Sequence, residues 1–176
     1  MIKKISLVIL LVVAILCSCE KDDICPEATS TTPHLIIRFY DINNDETLKS
    51  VRRLSVNGID DQGNLLNDIV FNTSTDSIVV PLRFQEENVQ TTTRFALKKD
   101  TDFDLDSNDT TVSNTDIIEV TYSPKFIYVS RACGYKSVFE LESIIREPET
   151  NNWIINQSII IPIIENENEA HINIYH

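Results

Sequence analysis

The sequence predicts an all-β protein, a single antiparallel β-sandwich over residues 34–176. Three observations carry this. About ten short runs of β-branched, aromatic or alternating residues recur along the chain. Clusters of Asn, Asp, Gly and Pro separate them at regular intervals. No stretch has helical periodicity that a strand reading does not explain as well. Regular short strands without helices fit a two-layer sandwich of the immunoglobulin/transthyretin kind.

The first strand is His34-Leu35-Ile36-Ile37-Arg38-Phe39-Tyr40-Asp41, which Asn43-Asn44-Asp45 closes as a turn. Ser50 to Ile59 alternates and is broken by Gly58 and Asp60-Asp61-Gln62-Gly63-Asn64. Leu65 to Phe71 is a short strand, and Ser77 to Phe84 is a clearer one. Pro81 lacks a backbone donor and places that strand at an edge or bulge. Thr91 to Leu97 alternates. Thr115 to Tyr122 and Lys125 to Arg131 read as a hairpin around Ser123-Pro124. Lys136 to Arg146 fits both strand and helix spacing. The loop-like Glu147-Pro148-Glu149-Thr150-Asn151-Asn152 after it favours a strand and a hairpin into Trp153 to Ile164. Ala170 to Tyr175 ends the domain.

Before the domain, Met1-Ile2-Lys3-Lys4 is a short basic region. Ile5 to Leu16 is apolar apart from Ser6. This is the pattern of a secretory signal, and the run is shorter than the ~20 apolar residues of a spanning helix. Leu16-Cys17-Ser18-Cys19 resembles a bacterial lipobox, in which the last cysteine is lipidated and the signal is cut before it. Cys17 fits this role less well, because Leu16 would occupy the small-residue position. The reading is a signal peptide over 1–18, then a lipidated Cys19 and flexible tether over 19–33; the alternative is an ordinary signal that happens to contain cysteines. Lys21, Asp22 and Asp23 resemble the surface-export signal of Bacteroidota lipoproteins. The plain alternative for them is a solvated, charged tether. The expected address is the outer membrane at the cell surface, with the periplasmic face as the other option. The membrane is then a partner through the lipid on Cys19.

Cleavage removes 18 of the 176 residues and leaves 158, which suits one domain with a real core. Loss of Lys3 and Lys4 takes the basic count from 15 to 13 against 27 acidic residues, a formal charge of −14. Such a surface repels nucleic acid and anionic lipid, so nucleic acid is not an expected partner. With Cys19 lipidated, Cys25 and Cys133 remain. In an exported chain two thiols suggest one disulfide, Cys25–Cys133, closing a loop of about 100 residues. Two independent thiols are the alternative.

Leu35-Ile36-Ile37-Arg38-Phe39-Tyr40-Asp41 together with Tyr128-Val129-Ser130-Arg131-Ala132-Cys133-Gly134-Tyr135-Lys136 is similar to an uncharacterised family of Bacteroidota lipoproteins, domain of unknown function 6452. The Ser-Arg-Ala-Cys-Gly-Tyr-Lys stretch is the most specific part. The resemblance runs over most of the mature chain and implies an exported lipoprotein in which Cys133 matters. It implies no activity, cofactor or catalytic residue. The acidic stretch from Asp102 to Asp109 reads as an insertion.

Candidate chemistry is sparse. His34, His171 and His176 lack metal spacing and read as surface residues at strand ends. No H-E-x-x-H, G-x-S-x-G or C-x-x-C occurs, and three glycines leave no phosphate loop. Cys133 reads as structural rather than nucleophilic. Asp102, Asp104 and Asp106 match the first three ligand positions of an EF-hand, but Ser107 and Ser113 stand where Gly and Glu belong. A looser calcium site that also uses Asp109 stays open beside a solvated loop. Asp76-Ser77-Ile78 and Asp109-Thr110-Thr111 resemble a Bacteroidota O-glycosylation motif at Ser77 and Thr110. No cofactor is expected. Two functions remain: a non-catalytic binding or envelope-structural module with a protein or glycan partner, or an enzyme with a loop-built site. A closed apolar pocket with convergent polar groups would favour the enzyme.

Overall fold

The computed structural model describes residues 24–27, 29, 31–101 and 113–176. Residues 1–18, read above as a signal peptide, lie outside the described residues, as do Cys19, Lys21, Asp22 and Asp23. So do Asp102, Asp104, Asp106, Asp109 and Thr110. No helix occurs among the described residues, and eleven strands do. The chain divides into two units. The larger comprises Ser30–Ile127 and Lys136–His176; the smaller comprises Tyr128–Tyr135 and the chain up to Thr29.

The larger unit is an all-β sandwich of two sheets, as the alternation predicts. One sheet holds β1 (Leu35–Asp41), β2 (Asn44–Leu48), β5 (Ser77–Val80), β9 (Asn156–Ile159) and β11 (Ile172–Tyr175). The other holds β3 (Val51–Ile59), β4 (Leu65–Thr75), β6 (Thr91–Lys99), β7 (Asn114–Ser130), β8 (Gly134–Arg146) and β10 (Ile163–Ile164). Its order is β10-β8-β7-β6-β3-β4. Inward residues come from alternate positions, as a pleated strand demands. Leu35, Ile37 and Phe39 of β1 meet Ile172 and Ile174 of β11 in the same core as Phe95, Leu97, Ile118, Val120, Tyr122 and Phe139.

Four findings depart from the sequence reading. β1 runs parallel to β11, with Ile37 opposite Ile172 and Tyr40 opposite Tyr175, so the sandwich is not wholly antiparallel. β7 is one strand of 17 residues that passes straight through Ser123 and Pro124, so no hairpin forms there. Pro124 turns inward and is buried. The turn lies instead at Arg131–Cys133, between β7 and β8. Asn44 and Asp45, read as turn, begin β2, which pairs with the end of β1. Trp153 to Ile164 is not one strand either. β9 joins the first sheet against β11, β10 joins the second against β8, and Trp153 lies in the connection before them. Glu147 to Asn152 is therefore a crossover between sheets, not a hairpin loop.

That crossover is fastened by a buried acid. Asp116 of β7 has 0% exposure. Its two oxygens accept from the backbone N–H of Ile154 at 2.8 Å and of Trp153 at 3.3 Å. The Trp153 indole donates to the Leu97 carbonyl at 3.2 Å. Arg94 of β6 donates to Glu147 through Nε at 2.9 Å. An irregular segment that enters a core must find partners for its amides, and Asp116 supplies them.

Candidate functional site

An open cleft of about 540 Å³ lies in the larger unit, beside the edge strand β4. Leu65, Leu66 and Ile69 of β4 form one wall, Gly58 and Ile59 of β3 and Phe95 of β6 the floor, and Pro81 and Arg83 the far rim. The β3–β4 turn sets the wall. Asp60 accepts from the Asn64 amide side chain at 3.0 Å, the Asn64 N–H at 2.7 Å and the Gln62 N–H at 3.0 Å. The hydrogen bonds from Asn64, its side chain foremost, hold the Asp60 carboxyl below its usual range. Gly63 takes a φ of 88°, which favours glycine. Gly58 has a different task. A Cβ built there would stand 3.3 Å from Cδ1 of Leu66, so the missing side chain lets Leu66 lie across β3.

The polar rim is fixed from behind. Arg83 donates to Asp61 at 2.8 Å and to the Thr92 carbonyl at 2.7 Å. Thr93, at the cleft, is 2.6 Å from the Tyr122 hydroxyl, which donates to the Arg83 carbonyl at 2.6 Å. Burial pushes the Tyr122 phenol above its ordinary pKa, against the pull of these bonds. The cleft is thus an apolar groove with a few polar groups at its margin, within the volume range of ligand sites. It is open rather than closed, and Arg83 and Thr93 are already engaged with their neighbours.

The smaller unit holds the bridge. Cys25 and Cys133 are disulfide-bonded with their Cα atoms 4.8 Å apart. The turn that presents Cys133 has its own closure, because the Cys133 N–H donates to Ser130 Oγ at 3.0 Å. Gly134 follows at a φ of 69°, as the need for a sharp turn after Cys133 requires. The Thr29 hydroxyl lies 3.7 Å from Cys133 Sγ. Tyr128 and Tyr135 face each other edge to face, ring centroids 5.4 Å apart.

The histidines correct the sequence reading in two of three cases. His34 is exposed and pairs with Glu167 at 2.7 Å. His171 and His176 are buried, not surface residues. His171 Nδ1 accepts from the Ile36 N–H at 3.0 Å. His176 Nε2 donates to the Lys49 carbonyl at 3.1 Å, and the ring packs edge-on against Trp153 and Phe39. Desolvation lowers both imidazole pKa values. Each ring therefore completes backbone hydrogen bonding at an end of β11. Ser77 opens β5, half-buried and in register with Arg38 of β1. Among the described residues no group of three His, Cys, Asp or Glu is gathered to hold a metal ion.

None of the cleft residues reads as part of a site in the sequence: Gly58 and Pro81 read there only as strand punctuation, and Gly58 in fact lies within β3. The available signal was Gly58, an isolated glycine inside a strand, which marks close approach by a neighbour. The pair Leu65-Leu66 directly after a polar turn was the second hint.

Fold and site together define an all-β sandwich with an open apolar groove at a sheet edge, and a hairpin tip disulfide-bonded to the segment before the first strand. The chain belongs to the family of unknown function DUF6452, whose profile matches residues 53–176. Tyr128 to Lys136 falls inside that match, and Leu35 to Asp41 lies before it. No curated protein and no solved structure matches the chain.

Proposed function

We propose that the chain is an exported Bacteroidota lipoprotein, acylated on Cys19, held in the outer membrane and facing the cell surface, where its sandwich is a non-catalytic binding module. The observation that carries the export reading is the Cys25–Cys133 bridge. Disulfides persist in oxidising compartments and are rare in the cytosol. Export then agrees with the basic and apolar start of the chain, and the lipobox before Cys19 supplies the anchor. Lys21, Asp22 and Asp23 stand directly after the anchor, where a sorting factor would read them.

The cleft supports a binding role and a class of partner. Its walls are aliphatic, and its one aromatic ring, Phe95, is buried. A sugar needs an exposed ring face on which to stack, whereas apolar side chains need a groove of this kind. A protein partner that inserts apolar side chains over Leu65 and Leu66 fits better than a glycan.

Metabolic labelling with a fatty-acid analogue tests the anchor. Label on the parent and none on Cys19→Ala is expected; equal label on both defeats the reading. Protease treatment of intact cells tests the side. Digestion of the parent, with protection when Lys21, Asp22 and Asp23 are all replaced by alanine, is expected. A parent that is digested only after outer-membrane rupture belongs to the periplasmic face.

A further inference from the structure

The disulfide joins two things that the chain order keeps apart: the segment next to the anchor and the tip of the β7–β8 hairpin. Cys133 sits in that tip, flanked by two exposed aromatic residues. Tyr128 is 58% exposed and Tyr135 is 70% exposed. Their edge-to-face contact holds the rings together, so this exposure is not that of two independently mobile side chains. Ile24, next to the other half of the bridge, is 83% exposed. All belong to the smaller unit.

Covalent reach decides what this tip meets. Cys25 follows Cys19 by six residues, which extend at most about 20–22 Å. Whatever Cys19 is fastened to, the bridge keeps Cys133 within roughly that distance of it. Without the bridge, the first strand residue, Leu35, lies sixteen residues from Cys19, an extended reach of about 53–58 Å.

We propose that the Tyr128–Tyr135 pair and Ile24 rest in the headgroup region of the membrane that holds Cys19, as a second, non-covalent contact. This rests on the lipidation of Cys19. Tyrosine suits that depth, because its ring is apolar and its hydroxyl needs water or a headgroup. The charges select the lipid. Glu20, Asp22, Asp23 and Glu27 follow the attachment along the chain with Lys21 among them, and Arg131 is the charged residue of the tip, so acids outnumber bases four to two and an anionic surface is repelled. The surface that fits is zwitterionic.

The full chain, produced in a lipidating host and assayed by mass spectrometry for acyl groups on Cys19, is placed in phosphatidylcholine vesicles. Tyr135→Trp supplies a reporter, with Tyr128→Trp as a second in case the ring contact is disturbed. Lipid brominated high on the acyl chain is expected to quench the introduced indole by about two-fold, as headgroup-level placement requires. The native Trp153 is buried and stays unquenched in the parent. Replacing both Cys25 and Cys133 with serine is expected to abolish the extra quenching, because the reach lengthens. An acylated, vesicle-bound protein whose introduced indole is unquenched at both positions overturns the contact alone. A chain without acyl groups on Cys19 overturns the lipoprotein reading and the contact with it.

Discussion

Asp116→Ala is expected to destabilise the sandwich by about 2–3 kcal/mol. The side chain has no exposed surface, and its two oxygens satisfy the amides of Trp153 and Ile154. Removing it strands two buried donors. Each stranded donor costs about 1–3 kcal/mol, and the longer bond to Trp153 at 3.3 Å counts for less than the 2.8 Å bond to Ile154. Against this, the variant no longer has to bury a carboxylate, which returns part of the loss. Asp116→Asn keeps one acceptor and turns a donor towards the other amide, so it falls between parent and alanine. Urea unfolding gives the number: a midpoint lower by about 1–2 M at unchanged slope is expected for the alanine variant. Trp153 is the sole tryptophan, so its emission reports on this crossover directly. It should shift to the red in the native baseline as the loop loosens. A loss below about 0.5 kcal/mol, the scale of an ordinary surface substitution, would refute the clamp.

Three further outcomes follow from the same contacts. Burial depresses the pKa of His171 and His176, so both stay neutral in the fold while the unfolded chain takes up protons below about pH 6.5. The stability they confer is full above that pH and is lost as pH falls from there towards their folded pKa values; the urea midpoint should drop between pH 7 and pH 5, and less in His176→Gln. Reduction of Cys25–Cys133, or Cys133→Ser, removes a constraint across 108 residues and should cost up to about 4–5 kcal/mol by chain entropy; an unchanged midpoint would show that the loop constraint is not felt. Leu66→Glu puts a charge on the exposed wall of the cleft, so binding of an apolar fluorescent dye should fall while thermal unfolding stays within about 0.5 kcal/mol of the parent. Dye binding equal to the parent would place the dye elsewhere.

The sequence by itself determined the β-class and most strand positions. The period-2 alternation in Leu35 to Phe39, Thr91 to Leu97 and Thr115 to Tyr122 is local information, and a pleated strand with one buried face uses it directly. The sequence also marks Cys25 and Cys133 as a candidate pair, on the reading that Cys19 carries lipid. Only the tertiary structure decided which strands are neighbours. The parallel pairing of β1 with β11 joins segments more than 130 residues apart, and alternation carries no partner label. Ser123-Pro124 looked like a turn by composition. It lies within β7 because burial of Tyr122 and Pro124 continues the inward face through it. Asp116, His171 and His176 are polar residues that any local scale places outside. Each is buried because a distant backbone group needs a partner: the amides of Trp153 and Ile154, the Ile36 N–H, the Lys49 carbonyl. The cleft has the same origin. Its walls come from β3, β4, β6 and the Pro81–Arg83 segment, so it exists only once register sets Leu66 over Gly58. Local pattern records what each residue prefers, and pairing between distant segments decides which of those preferences meet.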